Sequence, residues 1–161
     1  MTSPAVYAKL KREIDLASAQ GSISSPIQSA QIPSLSYLQA CVKEGLRIFP
    51  PITSLRERVV PSEGDTVLGY FLPAGTNVGI NMAASQLNIV FGPDPEVFRP
   101  ERWLKQDAAR LQEMNRVHEL VFGHGATRCL GIRIATMTIH KVLVEVFLSL
   151  VTPAFHYTDN N

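Results

Sequence analysis

Phe122-Gly123-His124-Gly125-Ala126-Thr127-Arg128-Cys129-Leu130-Gly131 is the stretch that decides how this chain folds. A glycine-rich loop runs into an apolar segment whose periodicity predicts a helix of about five turns, from Cys129 towards Val151. A cysteine at such a junction is a candidate thiolate. Unpaired N–H groups at a helix start carry partial positive charge, so a thiolate there is stabilised and its pKa is expected to fall. Arg128 adds a full charge beside it. Gly123, Gly125 and Gly131 lack Cβ atoms, which lets a loop turn tightly around the sulfur and lets a flat, bulky group approach the backbone. A metal held by one sulfur and a planar macrocycle needs such a bed.

The spacing Phe-x-x-Gly-x-x-x-Cys-x-Gly, carried by Phe122, Gly125, Cys129 and Gly131, resembles the cysteine-ligand loop of the haem-thiolate monooxygenases, the cytochrome P-450 family. The resemblance implies haem as cofactor and Cys129 as the axial ligand of its iron. Phe122, Gly125, Arg128 and Gly131 then belong to the haem bed. One departure concerns the position two before the cysteine, where the family usually carries a base that meets a haem propionate. Here that position is Thr127, and the base is Arg128.

Upstream of the loop, residues 34–49 have an apolar side at Leu35, Leu38, Val42 and Leu46 and predict a helix ended by Pro50-Pro51. Glu44 and Arg47, three apart, share a face. The ordinary account is an exposed ion pair worth well under about 1 kcal/mol. In its context, Glu44-Gly45-Leu46-Arg47-Ile48-Phe49-Pro50-Pro51 resembles the family's Glu-x-x-Arg helix. Within the 92–104 region, Pro100-Glu101-Arg102-Trp103 is similar to the later Pro-Glu-Arg-aromatic motif. The resemblance implies a structural triad of Glu44, Arg47 and Arg102. A buried cluster of this kind specifies geometry, and removing one member leaves charge unpaired at roughly 3–5 kcal/mol.

Between these motifs, residues 52–80 alternate in the manner of short strands, at 53–60, 66–71 and 76–80, punctuated by Gly64-Asp65 and Pro73-Ala74-Gly75. This pattern predicts a small hairpin-like sheet. Gly69-Tyr70-Phe71-Leu72-Pro73-Ala74-Gly75-Thr76 is similar to a turn in the family's minor sheet. Arg58 sits where many members place a second propionate arginine. Arg56 lies two residues away on the same strand face by alternation, and for both an edge protected by charge is the ordinary account.

Towards the start, Ser3-Pro4 predicts an N-cap followed by Pro at the first helical position, with Val6, Leu10, Ile14 and Ala17 on one face of a helix over 3–20 and Gly21 as its stop. Residues 21–33, rich in Ser, Gln and Pro, read as a surface loop. Residues 81–88 predict a short helix, and Gly92-Pro93-Asp94-Pro95 a turn. Asp107 is a plausible cap for an exposed helix over 107–116 anchored by Leu111 and Met114. The final helix, apolar on nearly all sides from Ile132 to Leu150, is expected to be buried, with Pro153 marking its stop.

At 161 residues the chain reads as one domain, mainly α with a small β-sheet. Fifteen basic and fourteen acidic side chains create no field that would gather nucleic acid or an anionic membrane. Lys9, Lys11, Arg12 and Glu13 exclude a signal h-region there, and the apolar run 142–151, broken by Glu145, is too short to cross a bilayer. The chain therefore reads as soluble or peripheral. Cys41 and Cys129 are expected to be reduced thiols. His118, His124 and Cys129 are zinc-compatible donors, but a fourth ligand is missing nearby and there is no Cys-x-x-Cys. His118, His140 and His156 read as surface or helix histidines.

Members of the resembled family insert one atom of dioxygen into a small organic substrate, with electrons from NADPH delivered by a cytochrome reductase. Full-length eukaryotic members sit at the endoplasmic reticulum membrane. The wording Tyr37-Leu38-Gln39-Ala40-Cys41-Val42-Lys43-Glu44 is most similar to fungal members related to pisatin demethylase, many of which serve secondary metabolism. The resemblance covers residues 3 to about 151 and implies the proximal, C-terminal part of the fold. No distal acid-alcohol stretch occurs here, which leads to the expectation of a truncated chain. Two readings follow: a monooxygenase by descent, or a non-catalytic remnant that engages a partner through apolar surfaces.

Overall fold

The computed structural model describes residues 3–104 and 106–151, the last of these by its backbone alone. The expected stop at Pro153, and His156, lie outside the described residues. The first helix, α1 (Pro4–Ala19), has Pro at its first position, although the Ser3 side chain makes no capping bond. Gly21 ends it at φ +66°, with Ser22 N–H donating to Ala17 O and Gly21 N–H to Ser18 O. This paired arrangement satisfies the last carbonyls and requires the left-handed conformation that glycine adopts freely. The face carrying Leu10, Ile14 and Ala17 is buried.

The 21–33 segment departs from the expected surface loop. Ile23 and Ile27 plug into the core, at 6% and 1% exposure. A short turn, Ser29–Ser34, is held by Gln31 Oε1, which accepts from Gln28 N and from Ser24 Oγ. Glu145 reaches from the last helix to accept from Ile27 N (2.8 Å) and Ser25 Oγ (2.9 Å). Two apolar anchors and this tether outweigh the polar composition.

Helix α2 (Ser36–Ile48) runs through the centre, burying Tyr37, Leu38, Ala40, Cys41, Val42, Glu44 and Arg47. Its start is capped from outside: Glu13 of α1 accepts from Tyr37 N and Leu38 N, both at 2.8 Å. A carboxylate there meets two otherwise unpaired donors and the positive end of the helix. Burial and the nearby carboxylates of Glu13, Glu101 and Glu44 push the Cys41 thiol up to about 12. It is a buried, inert apolar residue.

The expected single sheet is two nested antiparallel ladders. Strand β1 (Leu55–Val59) pairs with β4 (Asn77–Asn81), Arg56 opposite Ile80 and Arg58 opposite Val78. Between them, β2 (Asp65–Val67) and β3 (Tyr70–Leu72) form a hairpin. The run 66–71, read above as one strand, therefore reverses at Leu68 and Gly69, whose φ values are +52° and +85°. Two successive positive φ values make the turn that matches strand twist, and only the glycine announces it.

The predicted helix over 81–88 is shorter, α3 (Met82–Ser85), capped by Asn81 Oδ1, followed by a turn at Ile89–Phe91 capped by Asn88. Asp107 caps α4 (Ala108–His118) through Arg110 N. As expected, this helix is largely exposed and anchored by Met114, which is fully buried with Phe91, Trp103 and Ala40 in a second apolar cluster, and by the partly buried Leu111. The main cluster joins α1, the 21–33 segment and α2 to Val144 and Phe147.

The last helix, α5 (Ile132–Val146), begins three residues after Cys129 and passes into a wider turn, Phe147–Val151. Its expected all-round burial does not hold. Ile134, Val142 and Leu150 are 67%, 54% and 63% exposed, because α1, α2 and the 21–33 segment cover one side only.

Candidate functional site

The Glu44 carboxylate is entirely buried and collects five N–H donors. Oε1 accepts from Arg47 Nη2 (2.8 Å), Arg102 Nε (2.9 Å) and Arg99 N (2.9 Å). Oε2 accepts from Arg47 Nε (3.0 Å) and Trp103 Nε1 (2.8 Å). Burial alone would raise this carboxyl; the Arg47, Arg99 and Trp103 hydrogen bonds and the Arg47 charge hold it below the ordinary range. The exposed-pair account of Glu44 and Arg47 is excluded by the 0% exposure of both side chains.

Both arginines spend their remaining donors on backbone. Arg47 donates to Gln86 O at 2.7 Å and lies 5.0 Å over the Phe91 ring. Arg102 donates to Phe91 O, to Asp94 O (3.1 Å) and to Val97 O (2.8 Å). The cluster thus ties α2 to the chain over 86–103. Trp103 as a direct donor was missed in the sequence, since an indole beside a motif carries no sign of which way its N–H points.

His118 is buried against Trp103, edge to face at 5.2 Å between centroids, with Nε2–H donating to Lys43 O at 3.0 Å. Burial drops its pKa to about 4, so it is neutral near pH 7. Lys43 lies 5.2 Å over the same indole and donates to Asn115. Burial also lowers its pKa.

The cysteine loop is built in the opposite manner. After a turn at Glu119–Phe122, Gly123 takes φ +77°, and the chain closes on itself through Cys129 N–H to Phe122 O (2.8 Å) and Arg128 N–H to Gly125 O (3.0 Å). A Cβ on Gly123 would stand 3.2 Å from both Thr127 O and Arg56 Nη2. Here the missing Cβ serves the loop's own closure. Around Gly125 there is open space, and a Cβ on Gly131 would meet only Cys129 Sγ, at 3.8 Å. All residues from His124 to Leu130 are exposed, Cys129 among them, while Phe122 is half-buried. An exposed thiol beside a glycine face fits a planar macrocycle presented to one sulfur. His118 is committed to Lys43 O, and among the described residues no group of three His, Cys, Asp or Glu is placed to hold a metal ion.

Strand β1 stands next to this loop. A cleft of about 330 Å³ lies between them, lined by Arg56, Arg58, Ile80, Leu120, Gly123 and His124 among others. Arg58 donates to Glu57 O and to the Thr127 hydroxyl. Arg128 instead pairs with Glu119 at 3.1 Å, both half-exposed. Neither contact was legible in the sequence.

Compared with known proteins, residues 1–150 match the family model for Cytochrome P450. The chain is 40% identical to Cytochrome P450 monooxygenase aba1 of Botryotinia fuckeliana over 159 residues, covering 96% of this chain and 31% of that protein. It is 43% identical to Cytochrome P450 monooxygenase abl1 of Leptosphaeria maculans over 146 residues, 90% of this chain and 26% of the relative. Cytochrome P450 monooxygenase ACRTS1 of Alternaria alternata is 40% identical over 147 residues, 91% and 39% of the two chains. The chain therefore spans about a third of the length of these relatives.

Proposed function

Because this chain belongs to the cytochrome P450 family, we propose that it carries the haem site of a monooxygenase, in which Cys129 Sγ would hold the haem iron. The observation that carries the reading is the exposed Cys129 thiol beside Gly131, on a loop already closed by its own backbone and adjoining an arginine-lined cleft. Bound there, a thiolate-ligated haem would supply oxygen activation, inserting one atom of dioxygen into an organic substrate.

The chain's own residues bind and orient. Cys129 supplies the sulfur, and the Cys129 N–H bond to Phe122 O sets the loop's shape before the cofactor arrives. Phe122, Gly125 and Gly131 form the bed. Arg128 places positive charge beside the thiolate, and Arg58, steadied by Thr127, is available to one haem carboxylate. Glu44, Arg47 and Arg102 touch no cofactor. They hold α2 in register with the chain over 86–103, which is the use such buried charge clusters are best suited to.

In this reading the electron donor is a reductase of the NADPH-cytochrome type. The substrate is a small organic molecule, consistent with the fungal source of the relatives and a place in secondary metabolism. No helix among the described residues is long and apolar enough to cross a membrane. The endoplasmic reticulum membrane remains the location proposed for a full-length eukaryotic relative. A second reading, a non-catalytic remnant or interaction piece, is favoured by the exposed Leu130, Ile134 and Leu150.

The deciding experiment is an absorption spectrum of the purified chain with added haem, reduced and exposed to carbon monoxide. A red-shifted Soret band that is lost in Cys129→Ala supports thiolate ligation. A folded chain that shows no such band rejects the haem site in this chain and leaves the interaction reading.

A further inference from the structure

We propose that Arg56 is a cofactor-binding residue of this chain: its guanidinium takes a haem carboxylate in place of the base that the cysteine loop lacks at Thr127. The inference rests on the haem reading above and concerns which cation meets the cofactor's acidic edge.

Three cations stand near the loop, and the structure gives them different occupations. Arg128 follows Thr127 directly, but its guanidinium is engaged by Glu119 at 3.1 Å. Arg58 is exposed and shared between Glu57 O and the Thr127 hydroxyl. Thr127 therefore acts as an acceptor for β1 and offers no charge of its own. Arg56 alone is half-buried with no hydrogen-bond or ion-pair partner among the described residues. Its Nη2 lies 3.2 Å from where a Gly123 Cβ would be, against the backbone of the loop.

The surroundings point the same way. Arg56 and Arg58 lie two apart on one face of β1, opposite Ile80 and Val78, and both line the cleft with Gly123 and His124. The acidic side chain lining it, Asp65, is exposed and accepts from Thr66 N at 2.7 Å. Apolar Val60, Ile80, Met82 and Leu120 make up much of the remaining wall. A guanidinium without a partner, partly withdrawn from water, binds a carboxylate more strongly than an exposed one does. Two arginines at this spacing suit a planar ligand with two carboxylates on one edge, which is what haem presents.

The test is a Soret titration of the purified chain with ferric haem and, separately, with haem dimethyl ester, whose carboxylates are masked. Arg56→Leu is expected to weaken haem binding roughly tenfold, the scale of one charge-assisted hydrogen bond. It should leave the dimethyl ester unaffected, with Arg56→Lys falling between wild type and Arg56→Leu. Arg128→Leu should lower affinity for haem and for the dimethyl ester alike, because its charge stands by the sulfur and not by the carboxylates. An equal loss for haem and ester in Arg56→Leu would mean that Arg56 acts through loop packing, and would overturn the proposal. So would a loss confined to Arg128→Leu. If the wild-type chain binds both ligands with the thiolate band and Arg56→Leu matches it, the carboxylate assignment fails while the haem site stands. If wild type binds neither, the haem reading fails and this inference with it.

Discussion

Glu44 has no exposed surface and receives five N–H donors, whereas every residue from His124 to Leu130, Cys129 included, lies open to solvent. Both regions set arginines near one side chain, the Glu44 carboxylate in the first and the Cys129 thiol in the second. In the first, each donor is matched inside the protein, so the cluster can do nothing except hold its shape. In the second the loop is closed by two backbone bonds, and among the described residues its side chains, apart from the Thr127 and Arg128 contacts, make no hydrogen bond or ion pair. Stability and ligand capacity are thereby assigned to separate parts of the chain, which a set of mutations can test.

The largest effect is expected at the buried cluster. Glu44→Gln removes the charge that balances Arg47 and Arg102 and should destabilise the chain by roughly 3–5 kcal/mol in urea unfolding. A loss under about 1 kcal/mol would mean that water reaches the site and that the two regions differ less than their burial says.

Acid should strike the buried side next. His118 has a folded pKa of about 4 against an ordinary value of 6.5, so the unfolded chain takes up the proton first. Its contribution is complete above about pH 6.5, declines as pH falls and is exhausted near pH 4, a span worth about 3 kcal/mol by linkage. Glu44, with its depressed carboxyl, adds a further loss once pH falls below its ordinary range near 4.5. Urea midpoints measured from pH 7 to pH 4 should show the decline, and His118→Gln should flatten its upper part. A decline unchanged in His118→Gln would place the acid sensitivity elsewhere.

Gly123 belongs to both regions, being buried yet part of the loop. Gly123→Ala places a side chain at φ +77° and 3.2 Å from Thr127 O, with an expected loss of roughly 1–2 kcal/mol. The same variant should weaken haem binding, as loop closure is disturbed. The smallest effect is expected for Cys129→Ser in the haem-free chain, under about 0.5 kcal/mol, because the thiol is exposed and packs against little. A large loss there would show that the loop contributes to the fold as well as to the ligand.

Several features were legible without coordinates. The 3.6-residue pattern located α1, α2, α4 and α5, and Asp107 marked its cap because an acceptor before an apolar run has one obvious use. Glu44, Arg47 and Arg102 were marked by motif, and the structure brings them together. Other features were hidden for physical reasons. The cap that Glu13 places on α2 joins residues more than twenty positions apart. The 21–33 segment read as a surface loop because its two buried isoleucines, Ile23 and Ile27, carry no periodicity. The exposure of α5 was misjudged because an apolar surface on a helix states a demand for cover and does not say whether a neighbour meets it.

The sequence by itself determined most element types and the family, and it marked Cys129 as the candidate ligand, because these depend on local pattern and on the spacing of a few side chains. Tertiary structure decided which charges are buried and which are left over: that Glu44 is saturated, that Arg128 turns to Glu119, that Thr127 holds Arg58, and that Arg56, beside Gly123, has no partner among the described residues. Those outcomes depend on which distant groups arrive within about 3 Å of one another, the range at which hydrogen bonds and ion pairs form, and no local pattern encodes that.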